Sequence, residues 1–113
     1  MHELSIIQSA VSQALDHAQR AGAKRVLGIR LRIGTLSGVV PEALEFAFEA
    51  VTAGTPAEGA SLAVDSVPAR FWCAKCRREF ESVNLVSDCP ACGSPSGDLR
   101  AGRELELASL EID

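Results

Sequence analysis

The stretch from Cys73 to Gly93 reads CAKCRREFESVNLVSDCPACG and contains all four cysteines of the 113-residue chain. They form two pairs with the spacing C-x2-C, Cys73 with Cys76 and Cys89 with Cys92. Each pair fits a tight turn that aims two sulfurs at one point, and two pairs supply the four thiolates that a tetrahedral zinc ion takes. The spacing therefore predicts that this segment folds around one structural metal ion.

The segment around the cysteines, residues 70–99, is poor in large apolar residues between the two pairs. Such a segment cannot bury a core of its own, so the bound metal must hold it together. Gly93 follows the second pair at a point where the turn can require positive φ. We expect a zinc-binding domain of the zinc-ribbon kind over residues 70–99. The cysteines alone leave two alternatives, a pair of CxxC redox sites and one iron ion in the same four-sulfur geometry.

Two other segments carry apolar residues at helical spacing, which predicts one helix over about residues 3–21 and another over residues 41–52. Pro41 suits the first position of the second helix, because a helix leaves its first N–H groups without a partner in any case. The expected buried positions of the first helix are Leu4, Ile7, Val11, Ala14, Leu15 and Ala18. Those of the second helix are Leu44, Ala47, Phe48 and Val51.

Three segments predict strands: residues 25–34, 61–68 and 104–112. The first alternates Leu27, Ile29, Leu31 and Ile33 with Gly28, Arg30 and Arg32. A period of two indicates a half-buried strand, here with a basic outer face. In the last strand Leu105 and Leu107 share one face, whereas Leu110 and Ile112 have the opposite parity. A β-bulge near Ala108 and Ser109 would restore the register, and a bend of the strand is the alternative.

The order of these elements predicts an α+β protein. It has a small sheet with both helices on one face, and the four-cysteine unit is inserted before the last strand. Residues 1–69 and 100–113 would form the α+β domain and residues 70–99 the zinc-binding domain. We expect the last strand to pair either with the strand that contains Ile29 or with the strand that ends near Pro68.

The composition restricts the function. The formal net charge is −4, whereas a general nucleic-acid binder usually carries a basic excess. Arg70, Lys75, Arg77 and Arg78 form a local basic cluster, so a zinc-ribbon interaction or nucleic-acid module is the alternative function. No stretch approaches the roughly 20 apolar residues of a membrane span, and the start does not resemble a signal peptide. We therefore expect a cytoplasmic protein without a membrane or nucleic-acid partner, and the absence of a catalytic constellation predicts that it is not an enzyme.

The first three residues are Met1, His2 and Glu3. The α-amine of Met1, the backbone nitrogen of His2 and the His2 imidazole can chelate one metal ion through fused rings. A nitrogen-rich planar set of this kind suits Ni(II) or Cu(II) better than Zn(II). Glu3 could add a carboxylate oxygen. The plain alternative is a solvated terminal histidine, and His17 on the polar face of the first helix is interpreted as a solvent-exposed residue.

Three stretches together carry a resemblance to a known family: MHELSI at the start, PEALEFAFEAVTAGT in the second helix, and CAKC with CPACG before a final LELASLEI strand. Over essentially its full length the chain closely resembles the hydrogenase nickel incorporation proteins of the HypA (HybF) family. The resemblance implies a nickel-binding α+β domain and a zinc domain. It also implies a nickel metallochaperone that acts with the GTPase HypB on the [NiFe]-hydrogenase large subunit precursor.

The resemblance also implies which residues bind which metal. The family's amino-terminal MHE falls on Met1, His2 and Glu3, which implies transported Ni²⁺ at His2 and the Met1 amine, with Glu3 beside them. The zinc ligands fall on Cys73, Cys76, Cys89 and Cys92, with zinc in a structural role. A monomer and a homodimer both stay open, as does the acceptor enzyme, hydrogenase alone or urease as well.

Overall fold

The computed structural model of the chain describes residues 3–82 and 86–113. It confirms the α+β class, with the four-cysteine segment placed between the last two strands of the main sheet. None of the helices in the described ranges is long and apolar enough to cross a lipid bilayer. In chain order the elements are α1 (Glu3–Arg20), β1 (Val26–Gly34), α2 (Pro41–Thr52), β2 (Ser61–Val67), β3 (Arg70–Cys73), β4 (Arg78–Glu81), β5 (Leu99–Ala101) and β6 (Leu105–Ile112).

The main sheet has the strand order β2-β1-β6, with β1 in the centre. Strand β1 runs parallel to β2, and α2 forms the crossover that a parallel pair requires. Strand β6 returns antiparallel to β1, with Ile29 opposite Leu110. This confirms that the last strand pairs with the strand containing Ile29 and settles the choice that the sequence left open.

The core lies between this sheet and the two helices. Ile7 of α1, Leu44 of α2 and Leu31 of β1 are among its fully buried side chains. Leu4 does not join them, because its position in the first turn of α1 leaves it 49% exposed. Among the described residues, Thr52 is the one buried polar residue. Its hydroxyl donates a hydrogen bond to the Phe48 carbonyl at 2.7 Å, so its polar group is not left without a partner.

Strand β1 departs from the expected alternation at its start. Leu27, expected on the buried face, is 45% exposed, whereas Val26 is 1% exposed. The reason is a β-bulge: Val26 pairs with Ile112 and Gly28 pairs with Glu111, so Leu27 is an extra residue on β1. The expected alternation is correct from Ile29 onward, and only the expected burial of Leu27 is wrong.

Strand β6 contains the bulge that its leucine parity predicted. Arg30 pairs with Ser109 and Leu31 pairs with Leu107, so Ala108 has no partner of its own on β1. The extra residue returns the apolar side chains on both sides of it to the core face. The half-buried residues that pack against the core from this strand are Leu105, Leu107, Leu110 and Ile112.

The basic outer face of β1 is neutralised by the two strands beside it. Arg30 forms an ion pair with Asp65 of β2 at 2.7 Å. Arg32 forms one with Glu106 of β6 at 2.9 Å. All four side chains are about half exposed, so each pair contributes less than about 1 kcal/mol. The arginines of β1 therefore do not form a free basic surface.

A second sheet has the order β4-β3-β5 and supports the cysteines. The rings of Phe71 and Phe80 stack across β3 and β4 with centroids 5.8 Å apart. Gly102 follows β5, and its carbonyl accepts a hydrogen bond at 2.8 Å from the N–H of Leu36, which lies in a short 3-10 helix after β1 (Thr35–Ser37). The division into two domains at residues 69/70 and 99/100 stays a prediction.

Candidate metal centre

The four cysteines converge at one end of the second sheet. Cys73 ends β3, and Cys76 lies in the turn that leads into β4. Cys89 and Cys92 come from the segment that follows this hairpin. All four Sγ atoms lie within 4.8 Å of one another, with Cys73 and Cys89 buried and Cys76 and Cys92 half-buried. The expected four-cysteine cluster is therefore present and able to bind one metal ion.

The sulfur–sulfur distances fit a tetrahedral ion. The Sγ atoms of Cys73 and Cys92 are 3.6 Å apart, and those of Cys76 and Cys89 are 3.9 Å apart. Four sulfurs at about 2.3 Å from a central ion lie about 3.8 Å from one another. The contacts join one cysteine of each pair rather than the two of one pair, and both are far longer than the roughly 2.05 Å of a disulfide. This arrangement favours one shared ion over two separate redox pairs.

Both cysteine turns have the same backbone geometry. The N–H of Arg77 donates to the Cys73 carbonyl at 2.7 Å, and the N–H of Gly93 donates to the Cys89 carbonyl at 2.7 Å. The φ angles of Arg77 and Gly93 are 55° and 75°. The positive φ expected of Gly93 is thus confirmed. The same conformation at Arg77 was missed, because only the recurrence of the C-x2-C spacing, and not the residue type, signals it.

Hydrogen bonds shape each cysteine turn and tie the second one to β3. The Cys76 N–H points at the Cys73 sulfur, 3.4 Å away, as a donor to a metal-bound thiolate would. The Ser96 hydroxyl donates to the Trp72 carbonyl at 2.6 Å, which ties the segment after the second pair to β3. The Cys89 N–H donates to the Ser94 carbonyl at 2.9 Å. The sulfurs are therefore positioned by the protein backbone, since these bonds do not involve an ion.

The thiols of the metal-free cluster do not ionise alike. Hydrogen bonds from the hydroxyl and the backbone of Ser94 lower the pKa of Cys92 to about 6. The Cys92 backbone N–H lowers the pKa of Cys89. A hydrogen bond with Cys92, followed by burial, raises the pKa of Cys76 to about 12. Because like charges in one site oppose each other, ionising one thiol makes the next harder to ionise, and a divalent cation removes that penalty.

Basic side chains lie around the first cysteine turn, as the sequence suggested. Lys75, Arg77 and Arg78 are exposed around the first cysteine turn. Arg70 is not part of a free cluster, because it pairs with Glu79 at 3.3 Å. Four thiolates with one divalent ion carry a net charge of −2, and nearby cations offset that charge. Lys75, Arg77 and Arg78 can therefore serve to offset the charge of the metal centre, a role that does not require nucleic acid.

The residues predicted to bind nickel are only partly placed. Met1 and His2 lie outside the described residues. Glu3 is the first residue of α1, which agrees with the helix predicted over about residues 3–21. A carboxylate in the first helical turn is stabilised by the positive end of the helix dipole. His17 is exposed on α1, as expected.

The fold and the centre define a small α+β protein that carries a cluster of four cysteines able to bind a metal ion. The family described as "Hydrogenase/urease nickel incorporation, metallochaperone, hypA" has a model that matches residues 1–112. The chain belongs to this HypA family, whose members are nickel metallochaperones for hydrogenase and urease. The resemblance in the amino-terminal, helical and cysteine motifs is thereby confirmed.

Individual relatives agree over their full length. The chain is 48% identical to the hydrogenase maturation factor HypA of Geobacter sulfurreducens, covering 100% of both chains. It is 47% identical to the protein of the same description from Picosynechococcus sp., covering 99% of both. The solution structure of the Ni metallochaperone HypA from Helicobacter pylori matches with a TM-score of 0.67 at 24% identity, covering 99% of this chain and 97% of that one. The structural likeness supports the fold.

Proposed function

We propose that the protein binds Ni(II) at its amino terminus and delivers it for the maturation of [NiFe]-hydrogenase. The observation that carries the proposal is the match of residues 1–112, nearly the whole chain, to a family of nickel metallochaperones. In this role the protein is a carrier rather than an enzyme, and it works in the cytoplasm. The zinc-ribbon nucleic-acid module, which was the alternative, gains no support from these relatives.

The nickel site is proposed at the Met1 amine, the His2 backbone nitrogen and the His2 imidazole. A planar set of nitrogen donors matches the preference of Ni(II). Glu3 lies at the start of α1, within one residue of this set, so its carboxylate is a candidate additional ligand. Binding through a backbone amide releases protons, so the affinity falls as the pH is lowered.

The ion of the four-cysteine centre is proposed to be Zn²⁺ with a structural role. Four thiolates in a tetrahedron suit Zn²⁺ or iron, and a closed set of four protein ligands is typical of structural zinc. Cys73, Cys76, Cys89 and Cys92 would hold it. Colour distinguishes the two metals, since a zinc–thiolate centre is colourless and a ferric one is red.

The partners are proposed to be the GTPase HypB and the [NiFe]-hydrogenase large subunit precursor. The family description includes urease, so urease is a second acceptor to be tested beside hydrogenase. The working form is a monomer or a homodimer. The negative net charge and the neutralised arginines of β1 support partners other than nucleic acid.

The deciding experiment is a nickel titration of the untagged protein by calorimetry. His2→Ala is compared with His17→Ala, a matched control because His17 is the other histidine of the chain and is exposed. We expect His2→Ala to abolish tight binding and His17→Ala to leave it unchanged. An amino-terminal extension, which removes the free amine, should be as damaging as His2→Ala. A His2→Ala affinity within about twofold of wild type, roughly 0.4 kcal/mol, would place the site elsewhere.

A further inference from the structure

Phe46 of α2 is the most exposed large apolar side chain reported for the described residues, at 79% exposure. It projects from the face of α2 opposite Leu44, which is buried. A phenylalanine in water contributes nothing to the core, and aromatic side chains are over-represented where proteins meet partners. Folding alone therefore does not explain this residue.

Three carboxylates lie to one side of Phe46 on the same helix. Glu42, Glu45 and Glu49 lie four residues before it, one before it and three after it, and all three are exposed. Among the described residues none of the three forms an ion pair or a side-chain hydrogen bond. By contrast, the carboxylates that do form ion pairs elsewhere in the described chain are Asp16, Asp65, Glu79, Asp98 and Glu106.

Glu45 and Glu49 do not stabilise α2, whereas Glu42 lies in its first turn, where the helix dipole favours a carboxylate. The helix contains no lysine or arginine, so none of them has an i, i+3 or i, i+4 partner of opposite sign. Glu45 and Glu49 are instead four residues apart with like charge, which destabilises a helix. Glu49 also lies near the carboxyl end, where the helix dipole disfavours negative charge. A positively charged partner would remove this repulsion.

The surface beside Phe46 has a shape that can receive a side chain. A shallow depression of about 440 Å³ lies between α2 and β2. It is lined by the apolar side chains of Phe46, Phe48 and Leu62 and by the three glutamates. Apolar and aromatic side chains beside charged ones are the combination found at the energetic centres of protein interfaces and their borders.

We propose that the surface formed by Phe46 and Glu42, Glu45 and Glu49 docks a positively charged segment of a partner protein, one that places an apolar side chain between lysines or arginines. Charge complementarity selects this occupant. A second copy using the same face would set glutamates against glutamates, and an anionic lipid surface would be repelled. The inference goes beyond the proposed function and does not depend on nickel binding.

The test uses two synthetic amphipathic helices of about four turns, each with the same leucine face. One carries lysines and the other glutamates on its polar face. Each peptide is titrated into the full-length, metal-loaded protein while backbone amide shifts are followed by NMR. We expect the leucine–lysine peptide to shift the amides of α2 around Phe46, and the leucine–glutamate peptide to leave them unchanged.

Variants distinguish specific binding at the Phe46 surface from a general attraction of basic peptides to an acidic protein. Phe46→Ser and the double variant Glu45→Gln/Glu49→Gln should each weaken binding by roughly tenfold or more, as expected for the centre of an interface. The matched control Glu81→Gln/Glu111→Gln changes the net charge equally at two exposed carboxylates outside α2, and should have little effect. Equal losses in the control, shifts confined to another surface, or no shifts in α2 would each overturn the proposal. Self-association through this face, detected as a mass that increases with concentration and is abolished by Phe46→Ser, would also overturn it.

Discussion

Arg77 and Gly93 occupy equivalent positions in the two cysteine turns. Each follows the second cysteine of its pair, with φ angles of 55° and 75°, and each donates its N–H at 2.7 Å to the carbonyl of the first cysteine. Glycine adopts this conformation without steric cost, whereas an arginine brings its Cβ against the backbone. The turn of Cys73 and Cys76 is therefore strained, whereas the turn of Cys89 and Cys92 is not, although both turns contribute to the same four-cysteine cluster.

We predict that Arg77→Gly strengthens the metal centre. Relief of left-handed strain is worth roughly 1 kcal/mol. Part of that gain is lost because glycine raises the entropy of the unfolded chain. Since metal binding and folding are linked in such a segment, the gain should appear as tighter zinc binding in competition with a chelator.

Two controls separate backbone strain from charge. Arg77→Ala removes the same positive charge while keeping the Cβ, so it should not strengthen binding. Gly93→Ala introduces the strain into the second turn and should weaken binding by roughly 1–2 kcal/mol. If Arg77→Gly binds zinc no more tightly than Arg77→Ala, the arginine backbone is not strained.

We predict that the contact between Gly34 and Gly102 is intolerant of any side chain. A Cβ on Gly34 would collide with the Gly102 carbonyl group, and a Cβ on Gly102 would lie 2.8 Å from the Ala69 Cα. Gly102 also has a φ of 121°, which favours glycine. The two sheets are joined at this point, so the backbone cannot move aside locally. Gly34→Ala and Gly102→Ala should each lower the free energy of unfolding by roughly 1–3 kcal/mol.

Gly97→Ala is the matched control for this prediction. A Cβ at Gly97 would have no heavy atom within 4 Å. Its free energy of unfolding in urea should therefore stay within about 0.5 kcal/mol of wild type. An equal loss of stability in all three variants would show that loss of glycine itself, and not the close approach of Gly34 to Gly102, is responsible.

We predict that loss of the metal unfolds only the four-cysteine segment. Among residues 3–82 and 86–113, the buried residues of the core cluster around the sulfurs are Phe80, Cys73 and Cys89, whereas the helices belong to a separate core. Cys73→Ala, or removal of the metal with a chelator, should therefore unfold residues 70–99 and leave α1 and α2 formed. Amide hydrogen exchange reads both regions in one sample. Protection of residues 70–99 retained without metal would contradict this prediction.

Local signals in the sequence explain which parts of the fold could be predicted. The bounds of α2 match the prediction because Pro41 starts it and the residues after Thr52 cannot continue it. The bulge at Ala108 was predictable because the apolar residues change parity within one strand. The metal cluster followed from spacing alone, since two C-x2-C turns leave few other arrangements of four sulfurs.

The features that were missed depend on distant residues. Leu27 fits an alternating pattern, and only the pairing of Val26 with Ile112 shows that it is the extra residue of a bulge. The pairing of Arg30 and Arg32 with acids of β2 and β6 required the strand order, which no local pattern gives.

The last prediction concerns the pH dependence of metal binding at Cys92. In the folded segment the pKa of this thiol is lowered to about 6, chiefly by the Ser94 hydroxyl. Without metal the segment is expected to unfold, and the thiol then has the ordinary cysteine pKa of about 8.5. Zinc binding therefore displaces the Cys92 proton at pH values below about 8.5, and this thiol alone makes the affinity fall by about tenfold per pH unit.

Ser94→Ala tests whether this hydroxyl stabilises the Cys92 thiolate. Without the hydroxyl hydrogen bond the pKa of Cys92 in the folded segment should rise, so zinc binding at pH 7 should weaken, while proton release should still begin near about pH 8.5. Calorimetry in buffers of different ionisation enthalpy counts the protons released at each pH. Ser94→Thr is the control, because it keeps a hydroxyl beside Cys92, and it should bind zinc as tightly as the wild type. Equal zinc affinities in Ser94→Ala and Ser94→Thr would show that the hydroxyl does not stabilise the Cys92 thiolate.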